Sequence, residues 1–574
     1  MRQTTDTKAH EVLQYHGQDK QKLSSPAGTA GMPRRIFLEK MDSVLGQYSS
    51  KNLFSCRERI LTGNQIKAEL DTLTEHFRRL VPCETVVGVC LPNSADLALL
   101  ILSVIKAGKI PLLISSEVSS SEARDMEELS LFNTVVTSTH FTSKFKGFNQ
   151  LIYKSAQDSD CGAEITSELL PYQSEMLKGS PPLRHRTSAT DTALILQTSG
   201  SSGKAKFRSI SFEALNYVIE AVSQKTALSE NTVTAVTLPM SHTMALNTQF
   251  FPTFFAGGRC HFTDSKYSLG RLYRNLFEAD ATFTALVSNL LEVCEEEMEQ
   301  RHLSSNQNIK TVVLAGGSIG THHLKLAKKL FPKAEIYKGY GLTEAIRVSM
   351  IGSSEEGFWE EHVGRPLIGQ LVKIVDEKGA EVGEGCLGEL LVKGPNTQNY
   401  DTLSGAPLTN QDGYLPTGDL GQILPGGFIK VLGRRDRMFK NQGRKIYPLQ
   451  IENVLSQTEI AKHWICLPKP CRRSGQRPVV FATFRNEEHL GHLIDSLEVL
   501  ADLFREALPA FKRPREIYFL PSFPKLKNGK IDYGELARLL SEEDGFSPFP
   551  QKKIFKCFYR KIETFYSESA VAEV

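Results

Sequence analysis

A chain of 574 residues exceeds one compact domain of about 100–200 residues and leaves room for a large core plus a second unit. Its 68 Lys and Arg against 65 Asp and Glu leave a net charge of only +3, so the basic excess of a nucleic-acid binder is missing. With 40% hydrophobic and 23% charged residues, the composition is that of an ordinary soluble globular protein.

Residues 1–35 are polar and predict a flexible tail, with no apolar run that would make a secretory signal. Residues 36–433 then alternate short apolar runs with helical stretches. Val86–Leu91 predicts a strand, Ser94–Ala107 a buried helix and Ile110–Ile114 a second strand. The longest apolar stretch, Leu97–Ile105, is far short of the ~20 residues that span a bilayer. A polar stretch with Gly179, Ser180, Pro181 and Pro182 precedes a strand at Ala193–Leu196. Further on, Thr311–Leu314 predicts a strand, Thr321–Phe331 a helix and Glu335–Tyr337 a strand.

A boundary is expected near Gly433-Arg434-Arg435-Asp436, with a small α+β unit over 434–545. Its expected elements are helices at Ile451–Leu455 and Leu497–Leu508 and strands at Trp464–Leu467, Val479–Phe484 and Glu516–Leu520. In the last segment, 546–574, Ile554, Phe558, Ile562 and Tyr566 recur every fourth residue beside Lys552, Lys553, Lys556, Arg560 and Lys561. That spacing predicts an amphipathic helix, packed on its own domain or docked on an acidic carrier protein or an anionic membrane. The ten cysteines are scattered, with no paired metal-ligand spacing, and are read as reduced thiols in a cytoplasmic protein.

The sharpest chemical signal is Thr198-Ser199-Gly200-Ser201-Ser202-Gly203-Lys204-Ala205-Lys206, directly after the strand at 193–196. Glycines admit close backbone approach, hydroxyls donate hydrogen bonds and Lys204 and Lys206 supply charge, a combination suited to a polyphosphate. A kinase-type P-loop aligned on Gly203-Lys204 would need Gly at 198 and a hydroxyl at 205. Thr198 and Ala205 stand there instead, so that reading fails at both ends.

This loop resembles that of the acyl-adenylate-forming superfamily of acyl-CoA synthetases, peptide-synthetase adenylation domains and beetle luciferases, departing from it at Ala205 and Phe207. The resemblance runs in order from about Val86 to Leu536: Leu238-Pro239-Met240-Ser241-His242, Ala315-Gly316-Gly317, Gly339-Tyr340-Gly341-Leu342-Thr343-Glu344, Val363-Gly364-Arg365-Pro366, Gly388-Glu389-Leu390, Asp412-Gly413-Tyr414 and Thr417-Gly418-Asp419-Leu420. Gly433-Arg434-Arg435-Asp436, Gly443-Arg444-Lys445-Ile446-Tyr447-Pro448, Leu508-Pro509 and Asn528-Gly529-Lys530-Ile531-Asp532 complete it. It implies an α/β fold: a large multi-layer N-terminal domain with mixed sheets and a small barrel, and a small mobile α+β C-terminal domain.

The resemblance also implies roles. ATP would sit on the 198–206 loop, with Gly316, Gly317, Tyr340 and Gly341 around adenine, and with Asp419 and Arg434 on the ribose. Thr343 would bond the α-phosphate, Glu344 would hold Mg²⁺, and His242 would line the acyl pocket. Lys530 would bridge the attacking carboxylate and the phosphate; Asp436 would be the hinge, and the loop with Lys440, Gly443 and Lys445 would serve transfer to the pantetheine of CoA or of an acyl carrier protein. Taken singly, Tyr340 reads as a core aromatic, Asp419 as a turn residue, Arg434 as a surface charge and Lys530 as a solvated lysine. The ordered set overturns those readings. Amino-acid-activating members place an aspartate within the segment at Pro239–His242, and no acidic residue lies between Leu238 and Asn247 here. An unpaired ammonium would be costly there, so a fatty, aryl or other amine-free carboxylic acid is expected. A luciferase-like oxygenase and a nucleotide-binding relative without turnover are the alternatives.

Overall fold

Short hydroxyl-capped helices between apolar strands set the architecture. Thr62 accepts from the backbone N–H of Gln65 and starts the helix Gly63–Leu80, while Ser94 and Ser211 cap Ala95–Lys106 and Phe212–Lys225 in the same way. The helix at 95–106 is buried at Ala95 and from Leu97 to Ile105, as its nearly all-round apolar sequence requires. The computed structural model describes residues 31–565 except 57–58, 82–85, 130–131, 155–163, 169–190, 200–204, 264–271, 318, 459, 472–474, 484–492, 521, 526–530, 542–553 and 559–560.

Among the described residues the strands form four sheets. A seven-stranded, mainly parallel sheet runs Glu164–Glu168, Asn149–Lys154, Thr134–Thr137, Val86–Cys90, Ile110–Leu113, Thr192–Ser199 and Ala205–Ser211. A nine-stranded sheet runs Arg365–Pro366, Ser349–Gly352, Glu335–Tyr340, Thr311–Leu314, Phe283–Leu286, Val233–Val236, Arg259–Phe262, Asn52–Cys56 and Arg59–Thr62. One continuous core joins these two sheets, and Phe54 lies at its centre against Phe250, Phe254 and Phe262. Where the resemblance implies a small barrel, the described strands Leu371–Val375, Gly388–Lys393, Leu415–Leu424 and Phe428–Arg434 form a four-stranded antiparallel sheet.

Past Arg434, a mixed sheet built on His463–Cys471, Gly475–Thr483 and Glu516–Leu520 packs on the helices Pro448–Leu455 and Leu493–Ala507 around its own core, which includes Ile451, Phe504 and Phe519. Two expectations need correction. The helix Met32–Gln47 begins inside the stretch read as a tail, with Pro33 at its first turn and Phe37 and Met41 buried. The segment read as an amphipathic helix is a pair of strands, Ile554–Phe558 and Lys561–Phe565, hydrogen-bonded to each other and to Glu516–Leu520. Aromatic and β-branched residues suit a sheet, and the open edge of a preformed strand outweighs a four-residue period.

The C-terminal unit meets the large one through polar groups. Lys462 pairs with Glu296 and Lys445 with Glu377, and His463 Nε2 lies 2.5 Å from Glu292 Oε2. Burial alone would push Glu292 up, but hydrogen bonds and charge from His323 and His463 overcome it and pull the carboxyl down to about 2. A depressed carboxyl stabilises the fold above its unfolded value near 4.5 and loses that contribution as the pH falls towards 2. Glu292→Gln should therefore melt earlier than the parent at pH 6, with the gap closing between pH 4.5 and 2. A gap that is constant with pH would show that the charge contributes nothing.

Candidate functional site

The expected residues fall at the ends of strands from three sheets. The strand Glu335–Tyr340 delivers Tyr340 to a sharp turn, in which Leu342 N–H donates to Ala345 O at 2.9 Å and Val348 N–H to Tyr340 O at 2.8 Å. A side chain at Gly341 would put its Cβ 2.5 Å from the Arg347 nitrogen, so the turn closes only with glycine. Tyr340 Oη donates to Asp419 Oδ2 at 2.6 Å. Asp419 is paired across the four-stranded sheet with Arg434, whose Nη1 reaches Thr417 O at 2.7 Å and Asp419 Oδ1 at 3.4 Å. Burial pushes the Asp419 carboxyl up, against the pull of Tyr340 and Arg434, and pushes the Tyr340 phenol well above its usual range. The result is an aromatic ring, a buried carboxylate and a guanidinium on one patch, which can stack a flat base and accept hydrogen bonds from a diol.

Thr343 and Glu344 follow on the same turn. Thr343 Oγ1 stands 3.4 Å from Thr243 Oγ1, which brings the segment after His242 beside it. His242 closes a turn, its N–H donating to Pro239 O at 2.9 Å, and the chain then enters a π-helical stretch, Ala245–Phe250. Gly316, at φ +82°, opens the wall opposite: a Cβ there would be 3.0 Å from Val287 Cγ1 and 3.8 Å from Met244 Sδ, and one at Gly317 would be 3.4 Å from Ser288 Oγ. Glu344 Oε1 accepts from Arg208 Nε at 2.7 Å, and Arg208 Nη1 also reaches Asp401 Oδ2 at 2.7 Å. Arg208 leaves the second oxygen of a partly exposed carboxylate open, a hard donor suited to Mg²⁺ that arrives on substrate phosphates. No cluster of three or more His, Cys, Asp or Glu among the described residues forms a protein-only metal cage.

Thr198 and Ser199 end the strand Thr192–Ser199 and Lys206 is exposed on the next, while Gly200, Ser201, Ser202, Gly203, Lys204 and the distant Lys530 lie outside the described residues. Asp436 is exposed beyond Arg434, 3.7 Å from its Nε. Lys440 and Lys445 face each other across a hairpin whose turn, Gln442-Gly443, has positive φ at both positions. Asp436 thus borders the Arg434 side of the Tyr340–Asp419 patch, while Lys440 and Lys445 stand on strands of the C-terminal sheet. Sequence reasoning missed Arg208, the π-helical stretch, and Asn93, which holds Leu238 O at 2.6 Å and Met240 N–H at 2.8 Å. Asn93 lies 145 positions from Leu238, and no local pattern marks such a contact.

The AMP-binding enzyme family matches residues 42–399, more than half of the chain, and the AMP-binding enzyme C-terminal domain matches 450–530. The chain is an AMP-binding enzyme. Relatives include a 2-succinylbenzoate–CoA ligase of Lactococcus lactis, 25% identical over 82% of this chain and 94% of that protein. An indoleacetate–CoA ligase of Aromatoleum aromaticum is 28% identical over 61% of this chain and 68% of its own length. The o-succinylbenzoate CoA synthetase of Bacillus subtilis, solved with its acyl-adenylate intermediate, shares the fold with a TM-score of 0.70 at 18% identity, covering 89% of this chain and 98% of that one. Among the described residues of this AMP-binding enzyme, no helix is long and apolar enough to cross a membrane.

Arg208 is the strut of the site. Breaking a fully buried ion pair costs about 3–5 kcal/mol, and Glu344 and Asp401 are partly exposed, so Arg208→Met should cost roughly 2–3 kcal/mol. Thermal melting checks this; a variant that melts like the parent would make the double ion pair an ornament of the surface.

Proposed function

We propose that this enzyme is an AMP-forming acid–thiol ligase, which activates an amine-free carboxylic acid with ATP as its acyl-AMP, releases pyrophosphate and passes the acyl group to CoA or to a carrier-protein pantetheine. The observation that carries the reading is the Tyr340–Asp419–Arg434 patch beside Glu344 and Thr343, which offers a base platform, a ribose acceptor and a phosphate end in one line. The related ligases named above favour acyl transfer to a thiol over a luciferase-like oxygenation. The substrate acid follows from the segment Leu238–Asn247, which has no carboxylate to pair an ammonium.

In this scheme Tyr340 stacks on adenine and Asp419 accepts from the ribose hydroxyls, while Tyr340 and Arg434 oppose the burial that pushes the Asp419 carboxyl up. Glu344 would hold Mg²⁺, which would supply positive charge for the triphosphate. Thr343 fixes the α-phosphate, and Lys530 neutralises the attacking carboxylate. No covalent bond to the protein is needed, so alignment and preorganised charge supply most of the acceleration. His242 and Gly316 border the acid. The unit beyond Arg434 then turns about Asp436 and brings Lys440, Gly443 and Lys445 over the acyl-AMP for the thioester step, as its mainly polar contacts with the large unit allow. The site of action on this reading is the cytoplasm.

Two variants separate the half-reactions. Lys530→Ala should lower acyl-AMP formation, followed by pyrophosphate release, by about a hundredfold or more while transfer from supplied acyl-AMP persists. Equal loss in both steps would reject the two-face assignment. Asp436→Pro, which fixes φ at the junction, should retain pyrophosphate release and slow thioester formation. Unimpaired transfer would remove the hinge.

A further inference from the structure

Three arginines among the described residues are less than a tenth exposed: Arg59, Arg208 and Arg347. Arg59 pairs with Glu69 and Asp96, and Arg208 with Glu344 and Asp401. Arg347, 6% exposed, has no carboxylate partner. Its Nη2 donates to Thr248 Oγ1 at 2.5 Å, and its Nε has no hydrogen-bond partner at all. It also adopts φ +55°, a strained conformation for a residue with a side chain. An unpaired buried cation costs stability, and an apolar residue of similar volume would remove that cost.

The position of Arg347 says what the charge is for. It lies on the turn that carries Tyr340, Thr343 and Glu344, and its Nη1 presses on the strand Glu335–Tyr340, 2.7 Å from where a Cβ of Gly339 would be. Its hydrogen-bond partner Thr248 lies in the π-helical stretch that begins just after Thr243, the residue whose hydroxyl meets Thr343. Thr248 lies five positions along the chain from Thr243. Next to Thr248, Asn247 is 1% exposed, and both polar atoms of its side chain lack partners. The turn after Thr343 and the stretch after Thr243 thus hold a buried guanidinium and a buried amide with unused hydrogen-bonding capacity. A buried polar group in this state calls for an explanation, and a bound ligand is one that fits a position on the turn of Thr343 and Glu344.

We propose that Arg347, with Asn247, receives a second anionic group at the far end of the acid, so that the enzyme's substrate class is a short dicarboxylic acid of which one carboxylate is adenylated. The inference rests on the ligase reading above and goes beyond it in naming the acid class. Thr248 orients the guanidinium, and the distal carboxylate pairs with it and accepts from the Asn247 amide. A monocarboxylic acid of the same length would leave the charge unpaired beneath an apolar chain end.

Chain-matched pairs of mono- and dicarboxylic acids, alkyl and aryl, test this by pyrophosphate release from the full-length protein. The parent should favour the diacid of its best pair by at least about tenfold in kcat/KM. Arg347→Met should cost the diacid roughly a hundredfold while leaving the monoacid unchanged or improved, and Arg347→Lys should restore part of the preference. The melting temperature of Arg347→Met should hold or rise, which a structural arginine would not permit. A parent that turns over monoacids as well as their matched diacids overturns the proposal, and this result needs no variant to fold. A preference that survives Arg347→Met in a folded protein overturns it as well. No pyrophosphate release with any acid would instead reject the ligase reading on which the proposal stands.

Discussion

The double ion pair of Arg208 is the constraint that the rest of the site depends on. Arg208 lies on the strand that follows the polyphosphate-type loop, at the edge of the seven-stranded sheet. Glu344 lies on the turn at the end of a strand of the nine-stranded sheet, and Asp401 leads into the four-stranded sheet. One guanidinium therefore ties three sheets together, beside other links such as Ser209 N–H to Thr402 Oγ1 and Gln398 N–H to Glu344 O. Burying a cation between sheets is costly unless both its edges are matched, and the two carboxylates match them. With that geometry set, the Tyr340 ring must face Asp419, and Glu344 keeps one oxygen for other chemistry. Arg208 thus acts on the site by holding Glu344 in place.

How much of this was legible follows from how local the physics is. The strand Val86–Cys90, the buried helix Ala95–Lys106 and the strand Thr311–Leu314 emerge from apolar runs bounded by capping and turn residues, and the structure has them within a residue or two of the expected limits. The segment 552–566 went the other way. Its four-residue period was counted correctly, but the same residues alternate well enough to pair, and the edge of Glu516–Leu520 lies ready for them. Nothing in the last segment alone announces a neighbour some 40 residues upstream.

The site was legible where chemistry forces a short motif, and illegible where it depends on long-range placement. Gly339-Tyr340-Gly341 can be found by eye because the turn excludes a Cβ at Gly341. Arg208 and Arg347 look like ordinary charged residues, because their partners stand 136 and 99 positions away. The two also show why burial by itself is an incomplete guide. They are equally hidden from solvent, yet one completes its hydrogen bonds within the protein and the other does not.

That difference bears on how specificity and motion are divided in this enzyme. The large unit holds the polar groups that are costly to bury, and it fixes them with ion pairs and a continuous aromatic core. The unit beyond Arg434 has a separate core and meets the large one through two pairs near solvent, Glu296–Lys462 and Glu377–Lys445, and through the buried Glu292 with His463, the costlier contact to exchange. Exposed ion pairs contribute little net stability, typically about 0–1 kcal/mol each, so exchanging one set for another has a low cost. On the proposed mechanism, a pocket that selects the acid and a unit that presents different residues to it are therefore compatible in one chain. The selection would be made before any rearrangement, by the fit of the acid to groups such as Arg347 that the large unit already holds in position.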